Sequence, residues 1–524
     1  LLKFVIKISF SNFKNIFFSE RLKMIYKFLI TLVLVLILSN EIISQYIYPK
    51  REVRGVWIAT VADIDWPSDK NAPPKKQMAE LSNMFDKLDA AGINTIFFQV
   101  RTECDAFYNS KYEPWSYWLT GRQGKAPEPF YDPLAFVISE AHKRGMELHA
   151  WFNPYRAAKT NGEYEIADNH ISISHPEWIL NFKSFKILNP GIPAVTDYIA
   201  KVVSDVVRRY DVDGIHFDDY FYPYSPKITT QDASTFARYK GKFTNIDEWR
   251  RNNINKMVKE VYDSIKAIKP WVKFGISPFG IVENKFAGTN GLDSYSVLYC
   301  DPVTWLKNKT VDYILPQLYW EIGSKAADYA SLLPWWSFSA GERQVYVGIF
   351  STKMAAPSYK GRLNELEKQI DLSRQMIKTY GTVFFSAKSI AGNYSHFADS
   401  LQLYYRYPSL LPKMIWIDSV PPLTPVNLKA VEIDSSVALS WEKPLPASDG
   451  DTAYKYVVYR FDYSEQVNIE YAWHILKILV GNETVFTDTT LEKGKLQYTY
   501  VVTALDRLNN ESNPAVINLP LNRH

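Results

Sequence analysis

The chain has 524 residues, too many for one ordinary domain, and implies two or three. Hydrophobic residues make up 47% and charged residues 22%, which excludes a disordered or collagen-like polymer. The net charge is +4, but residues 1–45 hold six basic residues against two acidic ones, and the remainder balances at 54 against 54. A phosphate-backbone binder needs a basic surface, so nucleic acid is excluded as a partner. Two cysteines exclude a disulfide-rich scaffold and a cysteine-cluster metal site.

Near the start, Lys23 and Lys27 precede FLITLVLVLIL (28–38), and SNEIISQ follows. This is the layout of a secretory signal peptide. The apolar core is shorter than the about 20 residues of a membrane span. The expectation is translation from Met24, with 1–23 as upstream read-through and 24–45 as signal peptide. The product is exported to the periplasm, the medium or the cell surface, without stable membrane insertion after cleavage. An uncleaved anchor is the alternative. Export permits a Cys104–Cys300 disulfide, and two free thiols fit equally.

Eight short apolar runs follow: 55–61, 95–100, 147–152, 212–217, 272–277, 311–320, 344–350 and 381–387. Helical patterns separate them at 77–91, 133–144, 196–210, 246–269, 301–309, 325–338 and 364–379, with another after 398. This alternation predicts a (β/α)8 TIM barrel over 50–415. The runs are nearly continuously apolar, as strands buried on both faces must be. A doubly wound open sheet would require a Gly-rich loop after the first run, where the sequence reads ATVADIDWPSDKNAPPKK. Long loops at 101–132, 155–195 and 278–300 all follow strands, which places them at the C-terminal rim.

Residues 416–426 include the Pro-rich stretch SVPPLTPV, a stiff linker. Over 420–520 the pattern becomes short alternating strands, the length of a β-sandwich. Trp441, Tyr456 and Val458 are its expected core. The run resembles a fibronectin type III domain, with Tyr498 where such domains bond a tyrosine back to the sheet. Spacer or rigid support is its expected role.

The most informative segment is VDGIHFDDYFYP (212–223). Side chains alternate across a strand, so His216 and Asp218 share a face. Asp218 then points into the barrel mouth, and Asp219 tips into the adjoining loop. A buried carboxylate at a strand end needs a reason. Capping the next element or pairing with a base is the plain structural alternative. The sixth run ends in Gln317, Tyr319, Trp320 and Glu321, whose surrounding rings favour a protonated acid. Asp218 is the candidate nucleophile or base, Glu321 the candidate proton donor and Asp219 a supporting acid, with roles interchangeable. Candidate substrate contacts are Arg101 and Glu103 from the second run, and Trp151, Asn153 and Tyr155 from the third. His216, Tyr220, Gln317, Tyr319 and Trp320 complete the set.

Carboxyl groups from separate strands, flanked by rings, suit glycosidic cleavage: one protonates the departing oxygen, another attacks or activates water. No cofactor is needed. The chemical rival is a metal held by His216 and Asp218 with other histidines, but no H-E-x-x-H or comparable cluster accompanies them. Neither a G-x-S-x-G elbow nor a phosphate loop is present.

The segments REVRGVWIATVADIDWPS (51–68), GINTIFFQVRTECDAFY (92–108), AWFNPYR (150–156), LNPGIPAV (188–195), DGIHFDDYFYP (213–223), GISPFG (275–280) and PQLYWE (316–321) resemble the glycosyl-hydrolase-like family 10 group. The resemblance implies an exported bacterial TIM-barrel glycoside hydrolase. A Gram-negative relative acts at the septum on peptidoglycan strands stripped of their peptides. The chain departs from the group in its added β module and in the acidic Glu103 beside Cys104. The expected function is hydrolysis of O-glycosidic bonds in a bacterial polysaccharide, with peptidoglycan glycan strands as the partner and the oligomeric state open. The alternatives are a non-catalytic glycan-binding or scaffolding barrel, and a lyase releasing unsaturated products.

Overall fold

The computed structural model describes residues 48–361, 364–481, 483–492 and 497–519. The expected read-through and signal segments lie outside these residues. The eight apolar runs become eight parallel strands: β1 (Val53–Ile58), β2 (Thr95–Arg101), β3 (Glu147–Phe152), β4 (Gly214–Phe217), β5 (Lys273–Ile276), β6 (Tyr313–Ile314), β7 (Gln344–Ile349) and β8 (Thr379–Phe384). They pair in chain order and close between β8 and β1, which sets aside the open sheet. The helices that alternate with them include α1 (Pro74–Ala90), α2 (Pro133–His142), α3 (Pro193–Arg209), α4 (Ile246–Ile268), α5 (Pro302–Lys307), α6 (Tyr329–Ser339), α7 (Glu365–Arg374) and α8 (Phe397–Tyr404), with shorter helical turns in the loops. Pro74, Pro133, Pro193 and Pro302 stand at first helical positions, where their missing N–H costs nothing.

The sixth strand is shorter than its apolar run, because Pro316 has no N–H to give. Pairing continues irregularly, with Leu315 N donating to Ile276 O (2.9 Å), Gln317 N to Pro278 O (3.0 Å) and Leu318 N to Gly348 O (2.9 Å). The chain stays against β5 and β7 while bending outward at the rim.

The barrel has two apolar shells. Inside, Trp57, Phe97, Trp151, Tyr313, Tyr346 and Val383 pack together. Outside, Leu81, Phe85 and Leu88 of α1 and Val203, Val206 and Val207 of α3 pack into a continuous cluster with the outward faces of the strands. Two inward positions are glycine for want of space. A Cβ on Gly214 would lie 2.4 Å from His149 Nδ1, and one on Gly275 would lie 2.2 Å from the Tyr313 ring.

The chain then passes under the N-terminal ends of the strands, where Leu411 and Met414 plug the inner shell. The C-terminal module is all-β. Its strands are β9 (Val426–Ile433), β10 (Ser436–Glu442), β11 (Lys455–Asp462), β12 (Ile475–Val480), β13 (Val485–Asp488), β14 (Tyr498–Leu505) and β15 (Ala515–Asn518). They form two antiparallel sheets, in the orders β9-β10-β13 and β12-β11-β14-β15. Trp441, Tyr456 and Val458 lie in their shared core, as the alternation predicts. Tyr498 Oη accepts a hydrogen bond from Glu492 N at 3.3 Å.

This module docks on the floor of the barrel, opposite the rim. Lys50 Nζ reaches Glu511 (2.7 Å), Asn509 Nδ2 reaches Glu147 (3.2 Å), Lys455 Nζ reaches Gly145 O (3.0 Å), and Leu508 joins the inner shell. A cleft of about 370 Å³ remains between module and floor, lined in part by Arg54, Gly145, Tyr405, Lys455 and Asn509, and it holds none of the predicted site residues. Cys104 and Cys300 are buried free thiols. Among the described residues, no helix is long and apolar enough to cross a membrane.

Candidate active site

Strand β4 delivers the two aspartates. Gly214 and His216 point inward, and the same alternation carries Asp218 into the mouth. Asp218 is 4% exposed. Its Oδ2 accepts from Trp151 Nε1 (3.0 Å) and Asn153 Nδ2 (3.3 Å), both supplied by the end of β3. Asp219 is 1% exposed. It accepts from Tyr224 Oη, and the Gln317 side chain bonds it from the β6 side. The donors to both carboxyls are therefore neutral. Burial pushes Asp218 up to about 7, reinforced by the neighbouring Asp219 charge and opposed by Arg156 and the Trp151 N–H. Burial likewise pushes Asp219 up to about 6, against the bonds from Tyr224 and Gln317. Two interacting acids that titrate near neutrality can hold one proton between them.

Beneath them lies a polar column. Trp57 Nε1 donates to His216 Nε2 at 3.2 Å, with Ser277 Oγ at 3.1 Å from the same nitrogen. An indole only donates, so Nε2 is unprotonated and Nδ1–H faces the Tyr313 oxygen at 3.1 Å. Tyr313 in turn lies 2.9 Å from His149 Nδ1, and His149 Nε2 lies 3.3 Å from Glu147 Oε2. Burial, then the neighbouring His149, holds His216 far below the usual imidazole range. Both of its ring nitrogens are engaged, so His216 supports the floor of the mouth and is not a free ligand for metal or sugar. His149 is satisfied in the core, as its interior position in β3 predicts. Among the described residues the one group with metal-ligand spacing is Asp418, Asp449 and Asp451, on the module side.

The other predicted contacts divide. Trp151, Asn153, Gln317 and Tyr319 gather around the aspartates: Tyr319 lies in the field of both, its ring against Phe350 (5.1 Å) and Phe385 (6.0 Å). Tyr220 is 43% exposed at the mouth, and Trp320 packs on Phe279 at 5.4 Å. Arg101 is a buried brace. It pairs with Glu113 (2.6–2.9 Å) and donates to Asn153 O (2.5 Å) and Pro154 O (3.1 Å), fixing the backbone that presents Asn153. Glu103 is fully buried and accepts from Trp118 Nε1 (2.7 Å), Tyr164 Oη (2.9 Å) and Lys159 N. It ties two rim loops, 101–132 and 155–195, together, with no surface left for substrate. Tyr155 is also fully buried, edge-on to Phe221 at 6.5 Å, behind the mouth. Glu321 lies on the rim segment beyond β6. It is half-buried, and its carboxylate has no hydrogen bond or ion pair among the described residues. The burial that favours a protonated acid is found at the Asp218–Asp219 pair.

Three residues outside the predicted set complete the geometry: Trp57 and Ser277 under the floor, and Tyr224 on Asp219. Tyr224 stands five residues from its partner across a turn, where no strand period applies. Ser277 and Trp57 were legible by inward parity alone.

The glycosyl hydrolase-like 10 model matches residues 52–362. The chain is 39% identical over 513 residues to Glycosyl hydrolase YngK of Bacillus subtilis, covering 94% of this chain and 98% of that one. It is 38% identical over 363 residues to Glycosyl hydrolase DigH of Escherichia coli K12, covering 64% of this chain and 82% of that one. Among solved structures, the PgaB (BpsB) glycoside hydrolase domain of Bordetella bronchiseptica aligns with a TM-score of 0.43 at 11% identity, over 68% of this chain and 98% of that one.

Proposed function

The chain belongs to the glycosyl hydrolase-like 10 family and is a glycoside hydrolase acting on a carbohydrate polymer, and we propose that its substrate is the glycan strand of peptidoglycan, cut by acid–base chemistry of the Asp218–Asp219 pair with Glu321. The observation that carries this reading is the pair itself: two adjacent carboxyls sunk in the mouth, bonded by neutral donors, titrating near 7 and 6. One proton on the pair is available for the glycosidic oxygen as the C–O bond breaks. An ionised carboxylate supports the positive charge that develops at the anomeric carbon or activates water. Glu321, on the rim segment beyond β6, is the further carboxyl of the reaction, acting as base or nucleophile where the pair gives the proton and as proton donor where the pair is ionised. Rings of Tyr220, Tyr319 and Trp320 supply stacking walls.

The C-terminal module reads as fibronectin type III-like. Its support is the three-plus-four strand arrangement and the Tyr498 hydroxyl bonded upstream. Seated on the floor, it serves as a rigid support for the barrel. Export to the periplasm or cell surface follows from the segment 24–45.

The test is turnover of peptide-free glycan strands, read as new reducing ends. Wild type is expected to release them. Asp218→Asn and Glu321→Gln are each expected to lower kcat by about 10²–10⁴ while strands still bind. Full turnover in both variants rules out this assignment. Retained binding with no turnover in wild type favours the non-catalytic barrel.

A further inference from the structure

We propose that Arg156 is a specificity-determining residue of this site and that it grips a carboxylate carried by the bound sugar. This rests on the glycan-hydrolase reading of the mouth and names the class of sugar.

The Arg156 backbone is fixed on three sides. Its N–H donates to Asn153 Oδ1 (2.9 Å), its carbonyl accepts from Cys104 Sγ (3.3 Å), and it pairs with Ile187 in a small sheet over the rim. The guanidinium carbon lies 4.2 Å from the centre of the Tyr220 ring, the most exposed aromatic of the mouth. That contact fixes the fork beside the ring, with one donor meeting the Tyr220 hydroxyl and the others left open. Arg156 is half-buried and forms no ion pair among the described residues. Its field reaches Asp218, Asp219 and Glu103, yet it closes on none of them.

The contrast with Arg101 is informative. Three residues upstream of Arg156, Asn153 presents the carbonyl that Arg101 fills, and Arg101 is saturated by Glu113, two carbonyls and Cys104. One arginine is spent on structure, while the other is preorganised and left open beside the acids. A sugar hydroxyl needs only one donor, whereas a stacked, planar fork matches the two oxygens of a carboxylate. The same rim carries a second cation without an ion pair among the described residues, Lys159, 5.8 Å from the Trp118 ring. Lys70 stands near it and pairs with Asp63 at 3.1 Å. An anionic sugar gives Arg156 and Lys159 an ion-pair partner that an uncharged polymer lacks. Two sugar chemistries supply the anion: a lactyl ether on the ring, as in peptidoglycan freed of peptide, or a uronate.

The experiment compares kcat/KM for three substrates: peptide-free peptidoglycan strands, the same strands with their carboxylates amidated, and a uronate-containing oligosaccharide. Amidation is expected to lower wild-type kcat/KM about tenfold or more, mainly through KM. In Arg156→Gln the preference for free over amidated strands collapses towards one, and Arg156→Lys restores part of it. Cleavage of one acidic substrate and not the other identifies the anion source. The proposal is overturned if amidation leaves wild type unaffected. It is also overturned if Arg156→Gln lowers both rates equally and displaces the pH profile, since the charge would then act only on the aspartates. The amidation arm uses the unaltered protein, so it stands even if a variant misfolds. If wild type cuts nothing, the glycan-hydrolase reading fails, and the ratio of binding constants for free and amidated strands still decides Arg156.

Discussion

The two ends of the barrel treat buried carboxyls in opposite ways. At the floor, Glu147 meets Lys273 Nζ at 2.5 and 2.6 Å, and Glu52 sits between Arg54 (2.9 Å) and Arg374 (2.7 Å). Burial alone would raise both, but the cations outweigh it and hold them below the usual carboxylate range. At the mouth, Asp218 and Asp219 are as deeply buried, and their bonding partners are an indole, two amides and a phenol. They rise to about 7 and about 6. Depth does not separate the two ends, since all four are at most 5% exposed. The partner does. A cation turns a buried acid into scaffolding, and neutral donors turn it into a store for a proton.

Asp219→Asn is the strongest challenge to that contrast. It removes one member of the pair and keeps its shape. The expected loss is about 10²–10⁴ in kcat, with the fold intact by circular dichroism. The wild-type rate should follow a bell with limbs near 6 and 7, because the pair must hold one proton, and the variant should lose one limb. A pH-independent rate would place the chemistry elsewhere. At the floor the corresponding change is Glu147→Gln, which strands Lys273 in the interior. It should cost about 3–5 kcal/mol of stability, seen as a lower denaturation midpoint. The surviving folded fraction should keep its kcat. If Glu147→Gln were silent in stability, the scaffolding role would be wrong.

The sign of the pH dependence sharpens the same point. Asp218 is raised in the folded state. Below the unfolded value of 3.8 it contributes nothing, and its destabilising effect grows as pH rises towards 7 and is complete above that. Asp218→Asn removes the effect, so the variant should melt higher than wild type at pH 8 and equally at pH 3. Glu52 and Glu147 are lowered in the folded state. They stabilise above about 4.5, and that contribution is lost as pH falls through their folded values, so acid unfolding starts at the floor.

The fold was legible because continuous apolar runs and helical periods alternate eight times, and the aspartates because an acidic doublet ends a buried strand. Parity then placed Trp151, Asn153 and His216 on the inward face. It failed where the strand does. A register shift between Gln99 and Arg101 turns Arg101 aside towards Glu113, so a residue read as a sugar contact is a brace. Tyr155 has the parity of Asn153, but β3 ends at Phe152 and the chain turns it into the packing behind the mouth. Glu103 lies past the end of β2, in a loop whose partners Trp118, Lys159 and Tyr164 are 15 to 61 residues away. No local pattern encodes such contacts.

The weakest effect belongs to the floor's outer edge. Arg507 of the C-terminal module pairs with Asp211 of the barrel at 2.9 Å, with side chains 33% and 50% exposed, and stacks on Tyr454 at 4.5 Å. It has the same chemistry as Lys273–Glu147, but water screens it and both side chains pay entropy to stay together. Arg507→Ala should cost about 1 kcal/mol or less, shrink further at high salt, and move the melting temperature by about 2 °C at most. The inner contacts carry the joint instead: Leu508 in the plug, and Asn509 on the same Glu147 that Lys273 neutralises. A loss of several degrees in Arg507→Ala would mean that the module is held at its rim and not through the floor. The buried and exposed ion pairs would then no longer differ in the way the two ends of the barrel require.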